Sequence, residues 1–505
     1  MEKGESTVER PMPNNEYQAS RHQAGLADGG CPRLLPMTAR NRVKVHLLLL
    51  IGFNVALFLP MIGHGFVVDD FQLLATLAFH PFSFGLSHAH GAFYTPLTWM
   101  WYKTDWALWG MNAFPFALGD LVVYIVNALL LYRLALTLYQ DESAAGWTAL
   151  GFTLLFSANP WAAMWIATRA HVLVAFFYLA ALNATLWFTR TNRHRFLAAV
   201  CVFVLAAGAM FSKEDGVTVI LAIAIVIFYE KQLTRTSSLL LLAAFLVLLV
   251  AYFWLRAGSG AQVIDFDEKE NYAYHLSFGV LLENLELNII RTYGCLGLIA
   301  TAIAISCYLQ TGSLNLSSFS LRDALLSIAL FLVVIAPFLL LRVKLGIYMY
   351  LAGACAALLL GAFMRALNAS KRTIKQTRRS MTAAIPVVFI VVMLAARVWS
   401  HSYRWMKMAD TSTAILSQIK AQVPTVHLPA AIVLRYSDVD KVHRFPDNFA
   451  TWTFPSAMQL LYRTPTLKGF LVQEAETVPI PDRASAIYFS YVAGAKTVTV
   501  TKVNE

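Results

Sequence analysis

The sequence contains few charged residues and few cysteines. Only 14% of its 505 residues are Asp, Glu, Lys or Arg, whereas 58% are hydrophobic. This composition disfavours a soluble globular protein, whose surface needs more charge, and it excludes disordered and collagen-like chains. The five cysteines lie mostly within apolar segments, so we do not expect a disulfide framework.

Apolar segments that are long enough to cross a bilayer recur along most of the chain. The mean hydropathy is +0.57, and a segment of about 20 apolar residues matches the roughly 30 Å of hydrocarbon in a membrane. The sequence therefore predicts an all-α polytopic membrane protein with about 11 transmembrane helices. The segments are residues 45–63, 114–138, 146–166, 171–189, 196–212, 216–230, 237–256, 286–309, 323–341, 345–364 and 382–399.

Positive charge is concentrated in the gaps between these segments. The chain has 40 Lys and Arg against 29 Asp and Glu, which gives a formal net charge of +11. In a soluble protein this excess suggests nucleic-acid binding, but here the basic residues lie in short loops at 190–195, 231–235 and 365–379. The positive-inside rule makes these loops cytoplasmic. We therefore expect no nucleic-acid partner, a cytoplasmic N-terminus and an extracytoplasmic C-terminus.

Composition divides the chain into three regions. Residues 1–44 are polar and rich in Pro and Gly, which predicts a disordered cytoplasmic tail. Residues 45–399 form the predicted transmembrane domain, with an outer loop at 64–113. Residues 400–505 lose the membrane pattern, which predicts a small extracytoplasmic α+β domain. Its expected elements are strands at 430–436, 484–491 and 496–502 and an amphipathic helix near 455–463.

One apolar segment of the outer loop is too short to cross a membrane. Residues 96–111 carry Lys103 and Asp105 at their centre and are rich in tryptophan. Because tryptophan concentrates at membrane–water boundaries, we predict an interfacial helix on the outer surface. If this helix spans the membrane instead, every later loop changes side.

Two adjacent carboxylates, Asp69 and Asp70, follow the first apolar segment. Mutual repulsion and lost solvation can raise the pKa of one of them, which then serves as a general base for a hydroxyl acceptor. Alternatively, both hold a divalent cation, or they cap the next helix or lie in a solvated loop. The pair alone leaves these roles open.

Histidines follow the carboxylate pair in the same loop. His88 and His90 are too close in sequence for a helical metal pair, although a loop or strand could present both. We favour hydrogen bonding to a polar substrate, or solvation at the membrane interface, over metal binding for these side chains.

Two further groups of ionisable residues lie at the predicted outer ends of apolar segments. Arg169 and His171 form one group, and arginine suits bidentate recognition of phosphate, although an arginine at a helix end also extends towards water. Lys213, Glu214 and Asp215 lie between two short segments. Ionisable residues at membrane depth are candidates for function, and the alternative is an ion pair at an outer turn.

The order of these motifs resembles the GT-C superfamily of polytopic glycosyltransferases. Within it, the closest similarity is to the bacterial and endoplasmic-reticulum relatives of the tetratricopeptide-repeat O-mannosyltransferases, without the repeats. The likeness covers roughly residues 45–365, and its specificity lies in the order in which the motifs follow one another. The matching residues are Asp69-Asp70, His90 with Tyr94-Pro96-Leu97-Thr98, Asn159-Pro160 with Trp165-Ile166 and Arg169-Ala170, Lys213-Glu214-Gly216, and Tyr348-Tyr350-Leu351.

The resemblance implies an inverting enzyme that moves a sugar from a polyprenyl-phosphate donor to an acceptor on the extracytoplasmic face. It implies Asp70 as the base and Asp69 as its partner, and these two as the ligands if a divalent cation is used. The chain departs from the family pattern at Thr95, His171 and Ile347, and Arg342 or Lys344 replaces the positive charge expected before the paired tyrosines. The implied donor or substrate residues are His90, Tyr94, Arg169, His171, Lys213, Glu214, Arg342 and Tyr348.

The expected partners are membrane lipid, the lipid-linked sugar and a glycan, lipid or protein acceptor. The expected location is a bacterial inner membrane. Two other classes remain as alternatives. A secondary transporter would show inverted repeats and polar or broken helices near the midplane, whereas the ionisable residues here lie at outer helix ends. A noncatalytic polytopic assembly protein would tolerate the loss of Asp70.

Overall fold

The chain is predominantly helical, and its helices follow the apolar segments of the sequence. The computed structural model describes residues 39–89, 93–155, 165–261, 274–314, 316–341, 344, 346–373, 381–436, 453–473, 478, 480, 485–492 and 497–504. Met1–Val43 form a separate unit, of which only the start of the first helix is described, and the account below concerns Lys44–Glu505. Most of the predicted tail, together with His90 and Arg342, lies outside the described residues.

The first half of the helical region contains the outer loop and the helices around it. These helices are α1 (Ala39–Phe58), α2 (Asp69–Phe79), α3 (Phe84–Ser87), α4 (Pro96–Trp109), α5 (Ala113–Tyr139), α6 (Glu142–Leu154), α7 (Arg169–Arg190) and α8 (Arg195–Ser212). The second half continues with α9 (Val219–Tyr229), α10 (Thr236–Gly258), α11 (Phe278–Thr311), α12 (Leu321–Ile335), α13 (Met349–Thr373) and α14 (Ile385–Gln422).

Within the described residues, nine helices are long and apolar enough to cross a membrane. This confirms the all-α polytopic class, but the count is lower than the predicted number. The predicted segment 146–166 overlaps the shorter helix α6, of 13 residues, and the segment 216–230 contains α9, of 11 residues. Part of the first of these segments lies outside the described residues. Local hydropathy identified both segments correctly as apolar but did not set the helix lengths.

The outer loop folds into three helices, α2 to α4. Helix α4 has 14 residues, so it is too short to cross a bilayer. One face is buried through Trp99 and Tyr102, and the indole N–H of Trp99 donates to the carbonyl of Phe82 at 3.0 Å. Leu108 and Trp109 are exposed at its C-terminal end. A helix too short to cross the membrane agrees with the expectation from the sequence, and its position at the membrane interface stays a prediction.

A four-stranded sheet follows α14. Its strands are β1 (Ala430–Tyr436), β2 (Lys468–Gln473), β3 (Ser485–Val492) and β4 (Thr497–Asn504), in the order β2-β1-β3-β4. Strand β1 is parallel to both neighbours, and β4 pairs antiparallel with β3. Helix α15 (Phe454–Tyr462) lies between β1 and β2 in the chain. The small α+β region is therefore confirmed, with β2 as a strand that the sequence analysis missed.

The sheet shares its hydrophobic core with the outer loop. Leu74 and Leu77 of α2, Met458 of α15, Ile419 of α14 and Phe489 of β3 belong to one buried cluster. Helix α14, of 38 residues, runs through the predicted domain boundary at residues 399 and 400 and ends beside the sheet. Thus the helix that begins with Asp69 and Asp70 packs against α15 and shares a hydrophobic core with the C-terminal sheet.

Two glutamines of α14 pair with the free edge of the sheet. The side-chain amide of Gln422 donates to the carbonyl of Val498 at 2.5 Å and accepts from the N–H of Val500 at 2.9 Å. Gln418 accepts from the N–H of Val498 at 2.7 Å. These bonds replace the neighbouring strand that β4 lacks on this side, so they protect an edge that would otherwise pair with other chains.

We predict that Gln422→Ala loosens the docking of β4 on α14. The change leaves two backbone groups of an edge strand without these partners, which costs about 1 kcal/mol where water replaces them. The measurement is the rate of limited proteolysis within 468–504 in the purified protein. Ser417→Ala on the same helix removes only a bond to the carbonyl of Ala414 and is the matched control. Equal cleavage rates in both variants would contradict the proposed edge pairing.

Candidate functional site

The buried carboxylate of Asp70 is the centre of the first side-chain cluster. Asp70 is 1% exposed and stands in the first turn of α2. Its carboxylate accepts from two backbone amides, that of Val67 at 3.0 Å and that of Ala167 at 2.8 Å. Val68, which precedes the helix, has a φ of 45°, a strained value for a β-branched residue. The chain thus bends sharply to turn Asp70 inward, whereas Asp69 remains half-buried.

The environment raises the proton affinity of Asp70. The pKa of its carboxyl is raised to about 7, mainly by burial and to a smaller extent by nearby Asp69 and Asp120. The Val67 and Ala167 amides oppose this shift because they stabilise the charged form. A carboxylate with a pKa near neutrality can exchange a proton at the pH at which a cell works.

Arg169 is enclosed by carboxylates in the same cluster. Its side chain is 1% exposed, and it pairs with Asp105 at 2.5 Å and, through Nε, with Asp120. A second terminal nitrogen donates to the carbonyl of Phe116 at 2.9 Å. The guanidinium also lies over the ring of Tyr102, with its central carbon 4.8 Å from the ring centroid. We call Asp70, Asp105, Asp120, Arg169 and Tyr102 the aspartate cluster.

The sequence analysis weighed phosphate recognition by Arg169 against extension towards water, and the structure surrounds its guanidinium with carboxylates. Its partners come from α4 and α5, far from it in the sequence. Asp120 could have been found, because a carboxylate within an apolar span requires a partner. No local pattern, however, indicates that Arg169 is that partner.

A second cluster surrounds Lys213, which precedes the turn into α9. Lys213 is buried, and its Nζ lies 3.8 Å from a carboxylate oxygen of Asp215, beyond hydrogen-bond distance. The rings of Phe93 and Phe338 lie 5.6 and 5.9 Å from the ammonium. Burial raises the pKa of Asp215, while the Lys213 ammonium opposes that shift. Lys213 is therefore a buried cation with only a long ionic contact among the described residues.

Glu214 links the outer loop to α10. One oxygen accepts from the backbone N–H of Tyr94 at 2.6 Å and from Arg256 at 3.1 Å. The hydroxyl of Tyr94 donates to the carbonyl of Leu86 at 3.1 Å. These bonds fix Tyr94 beside the second group of charges. We call Tyr94, Lys213, Glu214, Asp215 and Arg256 the lysine cluster.

The glycine that follows these charges allows a close approach of two backbone segments. A Cβ atom at Gly216 would lie 2.1 Å from the carbonyl oxygen of Ala209, so no other residue fits without a shift of the backbone. The Gly216 N–H donates to the carbonyl of Lys213 at 2.9 Å. This tight turn explains why glycine follows Lys213 and Glu214 at this spacing.

Helices α4 and α7 connect the two clusters. The Thr98 hydroxyl of α4 donates to the carbonyl of Ser212 at 2.7 Å, next to Lys213. On α7, His171 lies two residues after Arg169 and stacks obliquely on Tyr348, with 5.8 Å between ring centroids. Tyr348 in turn stacks on Phe338, one of the rings beside Lys213. His171 and Tyr348 therefore belong to a row of rings that reaches Lys213 through Phe338.

Most of the predicted site residues that are described lie in or next to these clusters. Among the described residues, no group of three or more His, Cys, Asp or Glu side chains is arranged to hold a metal ion. Asp105, Asp120, Tyr102 and Arg256 were not among the predicted site residues.

Comparison with known proteins supports the fold. The chain aligns with ArnT from Cupriavidus metallidurans bound to undecaprenyl phosphate, with a TM-score of 0.54, 14% identity and coverage of 89% of this chain and 93% of that chain. The apo form of ArnT gives a TM-score of 0.50 and 13% identity over the same shares. AglB from Archaeoglobus fulgidus, in complex with an inhibitory peptide and a dolichol-phosphate, gives 0.48 and 11%, over 84% of this chain and 64% of that chain.

No family model and no curated protein sequence matches this chain. The structural likeness is therefore evidence for the fold, and the narrower likeness to O-mannosyltransferases stays a prediction. The ArnT alignment covers nearly the whole of both chains. At 14% identity this likeness shows the fold alone, and the chain has the fold seen in ArnT.

Proposed function

We propose that this protein transfers a sugar from a polyprenyl-phosphate donor to an acceptor hydroxyl at the extracytoplasmic face of a membrane. Two observations carry the proposal. Burial raises the pKa of the Asp70 carboxyl to about 7, and the buried ammonium of Lys213 has only a long contact, 3.8 Å, with a carboxylate oxygen of Asp215. The neighbour ArnT binds undecaprenyl phosphate, and a donor of that class fits the proposed chemistry.

Asp70 acts as the general base in this proposal. It removes the proton of the acceptor hydroxyl while the acceptor oxygen attacks the anomeric carbon and the bond from that carbon to the phosphate oxygen breaks. The sugar passes to the acceptor with inversion, and polyprenyl phosphate leaves. Because Asp70 is 1% exposed, the first turn of α2 must move to admit the acceptor, and the half-buried Asp69 meets it first.

Lys213 binds the phosphate in this proposal. A buried ammonium without a close carboxylate keeps donors for an incoming anion, and a phosphate oxygen gains charge as the sugar leaves. Aromatic rings around Lys213 exclude water and so strengthen this interaction. Arg169 has a different role, since its guanidinium already neutralises Asp105 and Asp120. Glu214, His171 and Tyr348 would shape the wall of the donor site.

We predict that Asp70→Asn abolishes transfer, with a loss of at least about 100-fold in kcat, because an amide cannot accept the proton. In the unaltered protein, kcat/KM should rise with pH through about 7, since the base must be deprotonated. Asp69→Asn should be milder and keep this pH dependence. The measurement is sugar transfer from a polyprenyl-phosphate donor to acceptor, with donor binding measured separately. Full turnover by folded Asp70→Asn protein would remove Asp70 from the mechanism.

We predict that Lys213→Ala weakens binding of polyprenyl phosphate by roughly 10- to 150-fold, the equivalent of about 1.5–3 kcal/mol for a charge-assisted hydrogen bond. Arg169→Ala should mainly lower stability, by about 3–5 kcal/mol, because it leaves the buried Asp120 and the half-buried Asp105 without their cation. The two measurements are lipid binding at several salt concentrations and thermal unfolding in the same detergent. The reverse pattern, weak binding in Arg169→Ala and instability in Lys213→Ala, would show that Arg169 binds the phosphate and that Lys213 stabilises the fold.

We predict that the catalytic end of the bundle faces the outside of the cell. Single cysteines at Ser87 and Ser417, both exposed and both on the side of α2 and the sheet, should react with an impermeant thiol reagent in intact cells. A cysteine at Thr234, in a predicted cytoplasmic loop, should react only after the membrane is opened. The background is a variant in which the native cysteines are replaced. Labelling of Thr234→Cys in intact cells with protection of the other two would invert the topology.

A further inference from the structure

We infer that the Tyr102 hydroxyl is a positioning group for Asp70, because it fixes the turn Ile166–Thr168 whose central amide binds the Asp70 carboxylate. The expected effect of Tyr102 on sugar transfer rests on the proposed function. Its expected effects on the turn and on the protonation of Asp70 do not. Tyr102 touches no substrate in this inference, and it acts through the backbone of another helix.

The hydroxyl of Tyr102 makes two hydrogen bonds that bracket this turn. It donates to the carbonyl of Ile166 at 2.5 Å and accepts from the backbone N–H of Arg169 at 3.2 Å. Ala167 lies between these two residues, and its N–H donates to Asp70 at 2.8 Å. One phenolic oxygen therefore holds both ends of the segment that presents this N–H.

Tyr102 is itself fixed in place. Its side chain is 4% exposed, and burial raises the pKa of its phenol well above the usual value, so that it remains protonated and can donate. The Arg169 guanidinium lies 4.8 Å above its ring centroid. Asp105 and Asp120 hold that guanidinium from α4 and α5. The ion pairs of Arg169 thus hold Tyr102 in place, and Tyr102 in turn holds the turn Ile166–Thr168 in place.

The amide of Ala167 stabilises the charged form of Asp70. If the turn loosens, this hydrogen bond weakens, and the proton affinity of the carboxyl increases. A tyrosine that serves only for packing would lower the stability of the protein without changing the protonation of a carboxyl on another helix. A measurement of the protonation of Asp70 therefore distinguishes a positioning role of Tyr102 from a role in packing alone.

The test is Tyr102→Phe in the full-length protein in lipid nanodiscs. An apolar carbodiimide reacts with protonated carboxyl groups, and mass spectrometry quantifies the adduct on Asp70 over about pH 5 to 9. We expect the midpoint of the labelling curve to rise by about one pH unit in the variant. Hydrogen exchange of the 165–170 peptide should become faster, which provides a second measurement on the same turn.

The matched control is Tyr132→Phe. Tyr132 is equally buried, and its hydroxyl has no hydrogen-bond partner in the described part of the chain. This variant should keep the labelling midpoint of the unaltered protein. It removes the same atom from a buried tyrosine, so it corrects for any general loss of stability.

Transfer kinetics complete the test. We expect kcat to fall about 10-fold in Tyr102→Phe, with KM for the donor little changed and the acid limb of the pH profile displaced to higher pH. If the labelling midpoint shifts but the unaltered protein transfers no sugar from a polyprenyl phosphate, the positioning role stands and the proposed function fails. An unchanged midpoint and unchanged hydrogen exchange in folded Tyr102→Phe protein would overturn the positioning role.

Discussion

The burial of the Arg169 guanidinium is the constraint on which the arrangement of the site depends. An unpaired cation in this position would cost several kcal/mol, so its side chain requires carboxylates close by, and Asp105 and Asp120 supply them from two other helices. Helices α4, α5 and α7 must therefore meet at this point. The same convergence brings Tyr102 under the guanidinium and sets the backbone that holds Asp70.

The two buried cations of the site show how similar charges serve different purposes. Arg169 has carboxylates and a carbonyl around it, so its charge is neutralised within the protein. The carboxylate oxygen paired with Lys213 is 3.8 Å from its ammonium, and the rings of Phe93 and Phe338 lie within 6 Å of the ammonium. The paired charges around Arg169 make that region rigid. The weak ionic contact of Lys213 leaves its ammonium able to bind an incoming anion. A residue's charge therefore identifies a candidate, and its partners decide the role.

The C-terminal sheet takes part in the site through packing and not through a charged side chain of its own. Helix α14 reaches the sheet and pairs with the edge of β4, while α15 and the sheet share a core with α2. Asp70 stands at the start of α2. Its position therefore depends on hydrophobic contacts with residues more than 300 positions later in the sequence, such as Met458.

Hydropathy and residue periodicity are local properties, so the amino-acid sequence was enough to predict the polytopic helical class, the apolar segments, three of the four strands and the candidate carboxylates. The order of its motifs also led to the expectation of a GT-C fold. Three features became known from the folded chain: Arg169 pairs with Asp105 and Asp120, Tyr102 binds both ends of the turn beside Asp70, and α14 runs beyond the predicted domain boundary. These features join residues that are distant along the chain. A local sequence pattern does not indicate them, because it does not show which distant group will pair with a buried charge or complete a buried hydrogen bond.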